Sequence, residues 1–221
     1  MFPNNPMRST NRAEVKRRHF LETAWTVFSE QGYPNTSMDS VVAKAGGSKA
    51  TLYTHFRSKE ELLRAVLEMR GAEMRRKVFE HFEIPEGFVP SLRNFGHLYL
   101  DAIMNTDLIE LYRIAMAEAK TLRTGGVSYA MAFTDNWKLV ADFLDRNISS
   151  ESFLAGGAWT AAMQLRGLIE GDLVVRKLSV LFERVSQKEI EDAVDAALYA
   201  FFRVYAPELC IELLRDRDMT A

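Results

Sequence analysis

The segment from Ser37 to Lys59 constrains the fold most, because it has the pattern of two short helices separated by a tight turn. Its first half places apolar side chains at i, i+3, i+4 and i+7, the spacing of one buried helix face. These apolar residues are Met38, Val41, Val42 and Ala45. A hydroxyl at Thr36 or Ser37 is suited to capping this helix, since it can accept a hydrogen bond from a free backbone N–H.

The turn and the second helix follow directly. Gly46 and Gly47 end the first helix, because glycine adopts the left-handed conformation that a tight interhelical turn needs. Ser48 begins a second helix, in which Leu52 and Phe56 face inward at a spacing of i, i+4. Two short helices joined in this way form a helix-turn-helix, whose second helix has the size that enters the major groove of DNA.

Residues 20–67 resemble the N-terminal domain of the tetracycline-repressor (TetR) family of transcriptional regulators. The matching residues are Ala24, Phe28, Gly32, Tyr33, Thr36, Ser37, Ala45, Gly46, Ser48, Lys49, Thr51, Leu52, Tyr53, His55, Phe56, Lys59, Glu60, Glu61, Leu62 and Leu63. One position departs from the usual Ala-Gly-Val-Ser turn of this family, because Gly47 replaces the valine. We expect this change to remove a small apolar contact and to loosen the turn.

Charge is divided unevenly along the chain, although the net charge is only −2. Residues 1–60 contain 9 Lys or Arg and 5 Asp or Glu, whereas the remaining residues contain 19 basic and 25 acidic side chains. A basic N-terminal part followed by an acidic remainder is typical of a DNA-binding domain joined to a separate second domain.

Helical periodicity continues through the rest of the chain, and no segment alternates in the manner of a strand. We therefore predict an all-α protein. The predicted helices cover residues 11–31, 58–82, 90–105, 107–121, 127–147, 151–171 and 187–205. The predicted organisation is a flexible arm over 1–11, a three-helix DNA-binding domain over 12–70 and a helical ligand-binding and dimerisation domain over 71–221. Arg8 and Arg12 could follow the duplex into the minor groove, or belong to a solvated tail.

Other classes of protein are disfavoured. Cys210 is the only cysteine, which excludes an internal disulfide and fits a reducing cytoplasm. No apolar run has the length of a membrane span, and no signal-peptide core is found at the N-terminus. The histidines form no metal-binding pattern, since His97 and Asp101 alone at i, i+4 do not complete a site. We expect no cofactor, no metal, no membrane partner and no enzymatic activity.

The resemblance implies a regulator, most often a repressor, that binds a pseudo-palindromic double-stranded operator as a homodimer. It assigns phosphate contacts to Ser37, Tyr53, His55 and Lys59. It assigns base edges or neighbouring phosphates to Ser48, Lys49, Ala50, Thr51 and Thr54, with Lys49 as a candidate for guanine O6/N7. The alternatives are core packing for Tyr53 and an ordinary surface position for His55.

The resemblance also implies a small-molecule effector bound inside the second domain, where Met and aromatic side chains suit an adaptable apolar pocket. Candidate ligand residues are Tyr99, Tyr112, Met116, Met131, Phe133, Trp159, Met163 and Arg166. Each of the apolar ones is more often ordinary core. Arg166 and Asp172 could read a polar group of the ligand, or pair with each other or with the other subunit.

The last two long helices are more apolar than packing of two helices requires, so a second copy is expected to complete a four-helix bundle. Candidate dimerisation residues are Ala158, Ala162, Leu198, Phe201 and Phe202. A DNA-binding regulator without a small-molecule ligand, controlled by a protein partner, would have the same N-terminal domain. The sequence leaves that alternative open.

Overall fold

The computed structural model describes residues 6–105, 108–118, 125–153, 156–179 and 185–210, and the side chains of all of these except 6–11, 105, 108, 111 and 125–133. These residues are helical or form turns and loops, and no strand occurs among them. The helices are α1 (Pro6–Gln31), α2 (Met38–Ala45), α3 (Lys49–His55), α4 (Lys59–Met74), α5 (Phe88–Asn105), α6 (Leu108–Ala117), α7 (Gly125–Asn147), α8 (Gly157–Glu170), α9 (Leu173–Leu178) and α10 (Gln187–Tyr205). The predicted all-α fold is confirmed.

Two boundaries and one additional helix stand out among the differences from the predicted helices. The first helix begins at Pro6, so residues 6–11 of the predicted flexible arm are helical, while residues 1–5 lie outside the description. The helix predicted to reach residue 82 is α-helical only to Met74 and continues as a π-helical turn, Arg75–Phe79. The short helix α9 was not predicted, because its six residues span fewer than two turns and give little periodicity.

The chain divides into two compact units. The first unit comprises Met1–Gly71 and Glu110–Tyr129, and the second comprises Ala72–Ile109 and Ala130–Ala221, as far as these ranges are described. The described residues between Glu110 and Tyr129 thus group with the N-terminal residues. The predicted domain bounds, 12–70 and 71–221, stay a prediction. None of the described helices is long and apolar enough to cross a membrane.

The first unit is built around side chains from its four N-terminal helices. Phe20 and Phe28 of α1, Leu52 of α3 and Leu62 of α4 are fully buried. Trp25 is also buried, and the Arg70 guanidinium lies 5.3 Å from the centre of its ring. Burial of such large apolar side chains makes the main favourable contribution to the free energy of packing α2 and α3 on the longer helices.

The second unit has a core rich in aromatic rings. Helix α10 packs against α5 and α8. Trp137 of α7 makes edge-to-face contacts with Phe95 and Tyr99 of α5, at centroid distances of 5.5 and 5.2 Å. An ion pair also joins α5 to α10, because Arg93 lies 3.0 Å from Asp195.

The predicted dimerisation residues belong mostly to this core. Ala162, Leu198, Phe201 and Phe202 are fully buried within one chain, and only Ala158 is partly exposed. These four side chains expose no surface within the single chain, and their part in dimerisation stays a prediction. The apolar stripe of α10 is covered by α5 and α8 of its own chain.

Candidate DNA interface

Helix α2 is fixed at both ends by local hydrogen bonds. The Ser37 hydroxyl accepts from the Ser40 backbone N–H at 3.1 Å, and the Ser40 hydroxyl oxygen accepts from the Ser37 N–H at the same distance. This capping box satisfies two N–H groups that lack helical partners. At the other end, Gly46 has φ of +66° and its N–H donates to the Val42 carbonyl. The turn thus requires glycine at position 46.

Helix α3 is capped by Ser48, whose hydroxyl accepts from the Thr51 N–H at 3.1 Å. The Thr54 hydroxyl donates back to the Thr51 carbonyl at 2.7 Å. Leu52 faces the core, whereas the predicted base-reading residues are exposed or, for Thr51, partly exposed. These residues are Ser48, Lys49, Ala50, Thr51 and Thr54. The structure therefore gathers all five around the outer side and beginning of one short helix.

Lys49, the first residue of α3, forms an ion pair with Asp39 in the first turn of α2. Its Nζ lies 2.8 Å from Oδ1 and 3.0 Å from Oδ2 of that carboxylate. The hydrogen bond to Asp39 and the charge of Asp39 raise the pKa of Lys49. Asp39 was not among the predicted contact residues, although its spacing places it on the exposed side of α2.

Tyr53 and His55 differ in exposure. The Tyr53 side chain is 42% exposed, so the core alternative for this residue does not describe its position. The His55 ring is partly buried, with its centroid 6.1 Å from that of Phe20 and 6.2 Å from that of Phe56. His55 thus helps to pack α3 on α1, and a phosphate contact would use the part of its ring that remains accessible.

Lys59 holds the loop between α1 and α2. Its ammonium group donates to the carbonyl oxygens of Tyr33 and Thr36, both at 2.9 Å, and to that of Pro34 at 3.4 Å. It also lies 4.3 Å from the centre of the Tyr33 ring. These bonds engage all three N–H groups of the ammonium, so a phosphate contact by Lys59 would require one of them to break.

The Tyr33 ring under this ammonium is itself buried. Burial, with the nearby charges of Glu60 and Glu118, raises the pKa of Tyr33 to about 12. Its hydroxyl has no hydrogen-bond partner among the described residues. Tyr33 therefore contributes through apolar packing and through the cation–π contact of its ring with Lys59, and not through a hydrogen bond of its hydroxyl.

Other side chains of the first unit support the helix-turn-helix without having been predicted. His19 Nε2 donates to the Ala45 carbonyl at 3.1 Å, which joins α1 to the end of α2. The Arg17 guanidinium lies 5.2 Å from the centre of the Phe56 ring. A helical wheel of α1 places both residues outward, but it does not reveal which partner each one reaches.

In the second unit, three of the predicted ligand residues are near one carboxylate or the aromatic core. The Tyr99 hydroxyl donates to Glu170 Oε1 at 2.5 Å, and Arg166 Nε donates to the same oxygen at 2.8 Å. Burial and the charge of Glu170 raise the pKa of Tyr99 well above its usual value. Met163 is partly buried against the same core, and Glu170 was the member that sequence reasoning missed.

The remaining ligand candidates are not gathered there. Tyr112 and Met116 belong to α6, whose described residues from Glu110 onward are part of the first unit, and Met116 is 46% exposed. Trp159 is 39% exposed and borders an open groove of about 290 Å³ between α7 and α8. The side chains of Met131 and Phe133 lie outside the description.

The fold and the exposed second helix of the turn motif define a helix-turn-helix DNA-binding protein with a helical second domain. Residues 20–66 match the sequence profile of bacterial regulatory proteins of the tetR family. Residues 90–207, more than half of the chain, match the profile of the C-terminal domain of AefR-like transcriptional repressors. The chain belongs to the tetR family of transcriptional regulators, as the sequence predicted.

Relatives with similar sequences are transcriptional regulators. The DNA-binding transcriptional repressor TetR of Mycobacteroides abscessus is 38% identical over 69 residues, which cover 31% of this chain and 36% of that protein. The HTH-type transcriptional repressor DhaR of Mycobacterium sp. (strain GP1) is 31% identical over 90 residues, or 41% of this chain and 44% of that protein. The chain thus spans less than half the length of these curated relatives.

Solved structures match over most of the chain. A TetR-family transcriptional regulator from Mesorhizobium loti MAFF303099 has a TM-score of 0.77 at 24% identity, over 88% of this chain and 98% of that one. The Flavonoid-responsive Regulator FrrA has a TM-score of 0.72 at 26% identity with the same coverage. A transcriptional regulator from Saccharomonospora viridis in complex with choline has a TM-score of 0.65 at 21% identity, over 82% and 94%.

Proposed function

We propose that this chain is a repressor that binds a pseudo-palindromic operator as a homodimer and is released by a small, largely apolar molecule. The observation that carries the DNA-binding part is the exposed side of α3, held by caps on both helices of the turn motif. Because its buried side is fixed by Leu52, the polar outer side is presented in one orientation. An element of this size enters the major groove, with its first residues nearest the bases.

The proposed contacts divide into two kinds. Ser37, at the start of α2, and Tyr53, on α3 itself, would bind phosphates, which set the register on the duplex. Lys49, Ala50 and Thr51 would approach base edges, and Thr51 and Ala50 suit a thymine methyl group. Ser48 and Thr54 use their hydroxyls within the helix, which favours a supporting role over base reading. We propose that Lys59 acts mainly by holding the α1–α2 loop.

Selection of binding sites from random duplexes tests this reading. We expect an inverted repeat with a fixed spacer, since a symmetric dimer presents two recognition helices. Tyr53→Phe, which removes only the hydroxyl, is expected to weaken binding to all sequences alike and to lower the dependence of affinity on salt. Tyr199→Phe, at an equally exposed tyrosine of α10, is the control for loss of a hydroxyl, and light scattering checks that it remains dimeric, because α10 belongs to the proposed dimer surface. Failure of the wild type to select any repeat would contradict the proposal.

The dimer is proposed to form through the outer sides of α8 and α10 rather than through their buried stripes. On α10, Ala193, Ala196, Ala200 and Val204 recur at i, i+3, i+7 and i+11, and each retains exposed surface. On α8, Trp159 is 39% exposed. Small residues at this spacing allow a second copy to approach closely and complete a four-helix arrangement.

The effector is proposed to act on the second unit at the polar group formed by Tyr99, Arg166 and Glu170. A ligand hydroxyl could replace one of the two donors on Glu170 while its apolar body contacts neighbouring rings such as Trp137. FrrA is named as flavonoid-responsive. Planar phenols are therefore the first compounds to test, by titration into the protein–operator complex, with choline as the contrasting cation.

A second candidate function is a DNA-binding regulator controlled by a protein partner. The packing of Tyr99 favours it, because its hydroxyl is bonded and its ring contacts Phe95 and Trp137. The two candidates differ in one measurement. Release from the operator by a small molecule, lost in Tyr99→Phe or Arg166→Met, supports the first, whereas indifference to every compound with release by a bound protein supports the second.

A further inference from the structure

The ion pair between Asp39 and Lys49 is unusual for a surface expected to meet DNA, because one member is a carboxylate. Both side chains are well exposed, at 67% for Asp39 and 59% for Lys49. Exposed pairs of this kind contribute little to stability, since water screens them and ordering two side chains costs entropy. Asp39 also lies in the first turn of α2, where a negative charge is favourable near the helix N-terminus. That contribution is modest at an exposed position, and it does not require a pairing with Lys49 beside α3.

The pair ties the position of Asp39 to that of Lys49. Nζ of Lys49 is within 3.0 Å of both carboxylate oxygens. Lys49 can therefore approach a base edge only by breaking the pair or by bringing Asp39 with it. A guanine edge offers acceptors alone, so a carboxylate brought there without a donor would be repelled and would lose its hydration.

One base pair satisfies both side chains at once. In the major groove, guanine presents the acceptors N7 and O6, and the paired cytosine presents the N4 amino donor beside them. A lysine donor next to a carboxylate acceptor is complementary to that pattern. If an A·T pair is placed there with adenine facing the lysine, thymine O4 takes the position of the cytosine amino group and faces the carboxylate.

We propose that Asp39 is a base-reading residue and that Asp39 and Lys49 together read one G·C pair in each half-site. Lys49 Nζ donates to guanine O6 or N7, and a carboxylate oxygen of Asp39 accepts from N4 of the paired cytosine. The carboxylate also weakens binding to unrelated DNA, because it faces phosphates where no cytosine amino group compensates for it. This inference rests on the proposed sequence-specific DNA binding.

The test compares binding-site selections by full-length variants. Asp39→Ala is expected to reduce the preference for G·C over A·T at one base pair of each half-site roughly tenfold, which is the low end of a specific base contact. Its affinity for unrelated DNA is expected to rise, because a negative charge has been removed. Lys49→Met is expected to lose preference at that same base pair.

Two further variants separate the acceptor from the charge. Asp39→Asn keeps an acceptor oxygen and is expected to retain part of the preference while gaining affinity for unrelated DNA. Glu30→Ala is the matched control for Asp39→Ala, because Glu30 also forms an exposed ion pair, with Lys44. The control removes one negative charge from the same unit at a different place. It is expected to leave the base preference unchanged. Circular dichroism checks that each variant is folded.

Different failures have different meanings. If Asp39→Ala selects the wild-type site, Asp39 reads no base and the inference is overturned, while the proposed function stands. If Asp39→Ala and Lys49→Met alter different base pairs, joint reading is overturned. If the wild type selects no site, both the proposed function and the inference are overturned.

Discussion

Replacing Lys59 by methionine distinguishes two tasks for this residue: a phosphate contact, as the family resemblance implies, or a structural link within the first unit. Methionine keeps the length and the apolar stem but removes the ammonium group. The carbonyl oxygens of Tyr33, Thr36 and Pro34 would lose their donor. Tyr33 O would still accept a hydrogen bond from the Thr36 N–H at 3.2 Å. The loss of the ammonium donor would therefore affect Thr36 O more than Tyr33 O.

The expected cost follows from these contacts. Two hydrogen bonds at 2.9 Å from a charged donor contribute roughly 1 kcal/mol each once the partial exposure of Lys59 is considered, and the bond at 3.4 Å adds little. The cation over the Tyr33 ring, at 4.3 Å, adds about 0.5–1 kcal/mol. Lys59→Met should therefore lower the free energy of unfolding by roughly 2–3 kcal/mol.

Urea unfolding followed by circular dichroism measures this loss in the full chain. Lys44→Met is the control, because Lys44 has one exposed ion-pair partner, Glu30, and its loss should cost less than about 1 kcal/mol. Hydrogen exchange is expected to speed up in the loop between α1 and α2 for Lys59→Met alone. The reasoning is refuted if Lys59→Met is as stable as Lys44→Met while its DNA binding loses salt dependence, since that result describes a phosphate contact.

Three further substitutions test the packing at Gly96, the turn at Gly47 and the protonation of His97. Gly96→Ala should cost about 1–3 kcal/mol of stability, because its Cβ would lie 2.7 Å from Val194 Cγ1, and Val194→Ala should restore part of it in the same unfolding assay. Gly47→Val, which restores the family's usual residue, would place a Cβ 3.2 Å from the Phe20 ring, which must then shift by a few tenths of an ångström. Because Phe20 is fully buried, we expect that shift to be resisted and the turn to be destabilised; a higher melting temperature would contradict this. Burial lowers the pKa of His97 below 6.5. The unfolded chain then binds more protons, so the wild type should lose stability relative to His97→Gln as pH falls below about 6.5, and the difference should be constant above that range.

Local rules made the turn motif predictable from sequence. The spacing of Met38 and Val41, the glycine at 46 and the hydroxyl at 48 each act over a few residues, so the sequence alone contains the information. The effect of Gly47 was not predictable in the same way. The Phe20 ring, from a different helix, lies 3.2 Å from where the Cβ of a side chain at position 47 would be. The ring therefore occupies the space that the sequence alone suggested was empty beside Gly47.

Partners distant in sequence explain the missed residues. The carbonyl groups that Lys59 binds lie 23 to 26 positions earlier, in a loop whose path depends on the packing of α1. Glu170 joins Tyr99 across 71 positions. A pattern of residue types does not encode which of several acceptors a long side chain reaches, because that choice depends on helix packing.

The dimer assignment shows the same limit and leads to a direct test. Periodicity correctly placed Phe201 on a buried stripe, but an apolar stripe has the same pattern whether its own chain or a partner covers it. Within the single chain Phe201 is already fully buried, whereas Val204 is 53% exposed. Phe201→Asp is therefore expected to unfold the second unit, because an unpaired charge in the core costs several kcal/mol.

Val204→Glu is expected to leave the chain folded and to separate the dimer, because a twofold interface would bring two copies of the new charge close together. Val175→Glu, at a 64% exposed valine of α9, is the control and should remain dimeric. Light scattering gives the mass of each variant, and circular dichroism its helix content. A Val204→Glu variant that is still dimeric at low concentration would place the interface elsewhere. A Phe201→Asp variant that is folded and monomeric would restore the buried stripe of α10 as the contact surface.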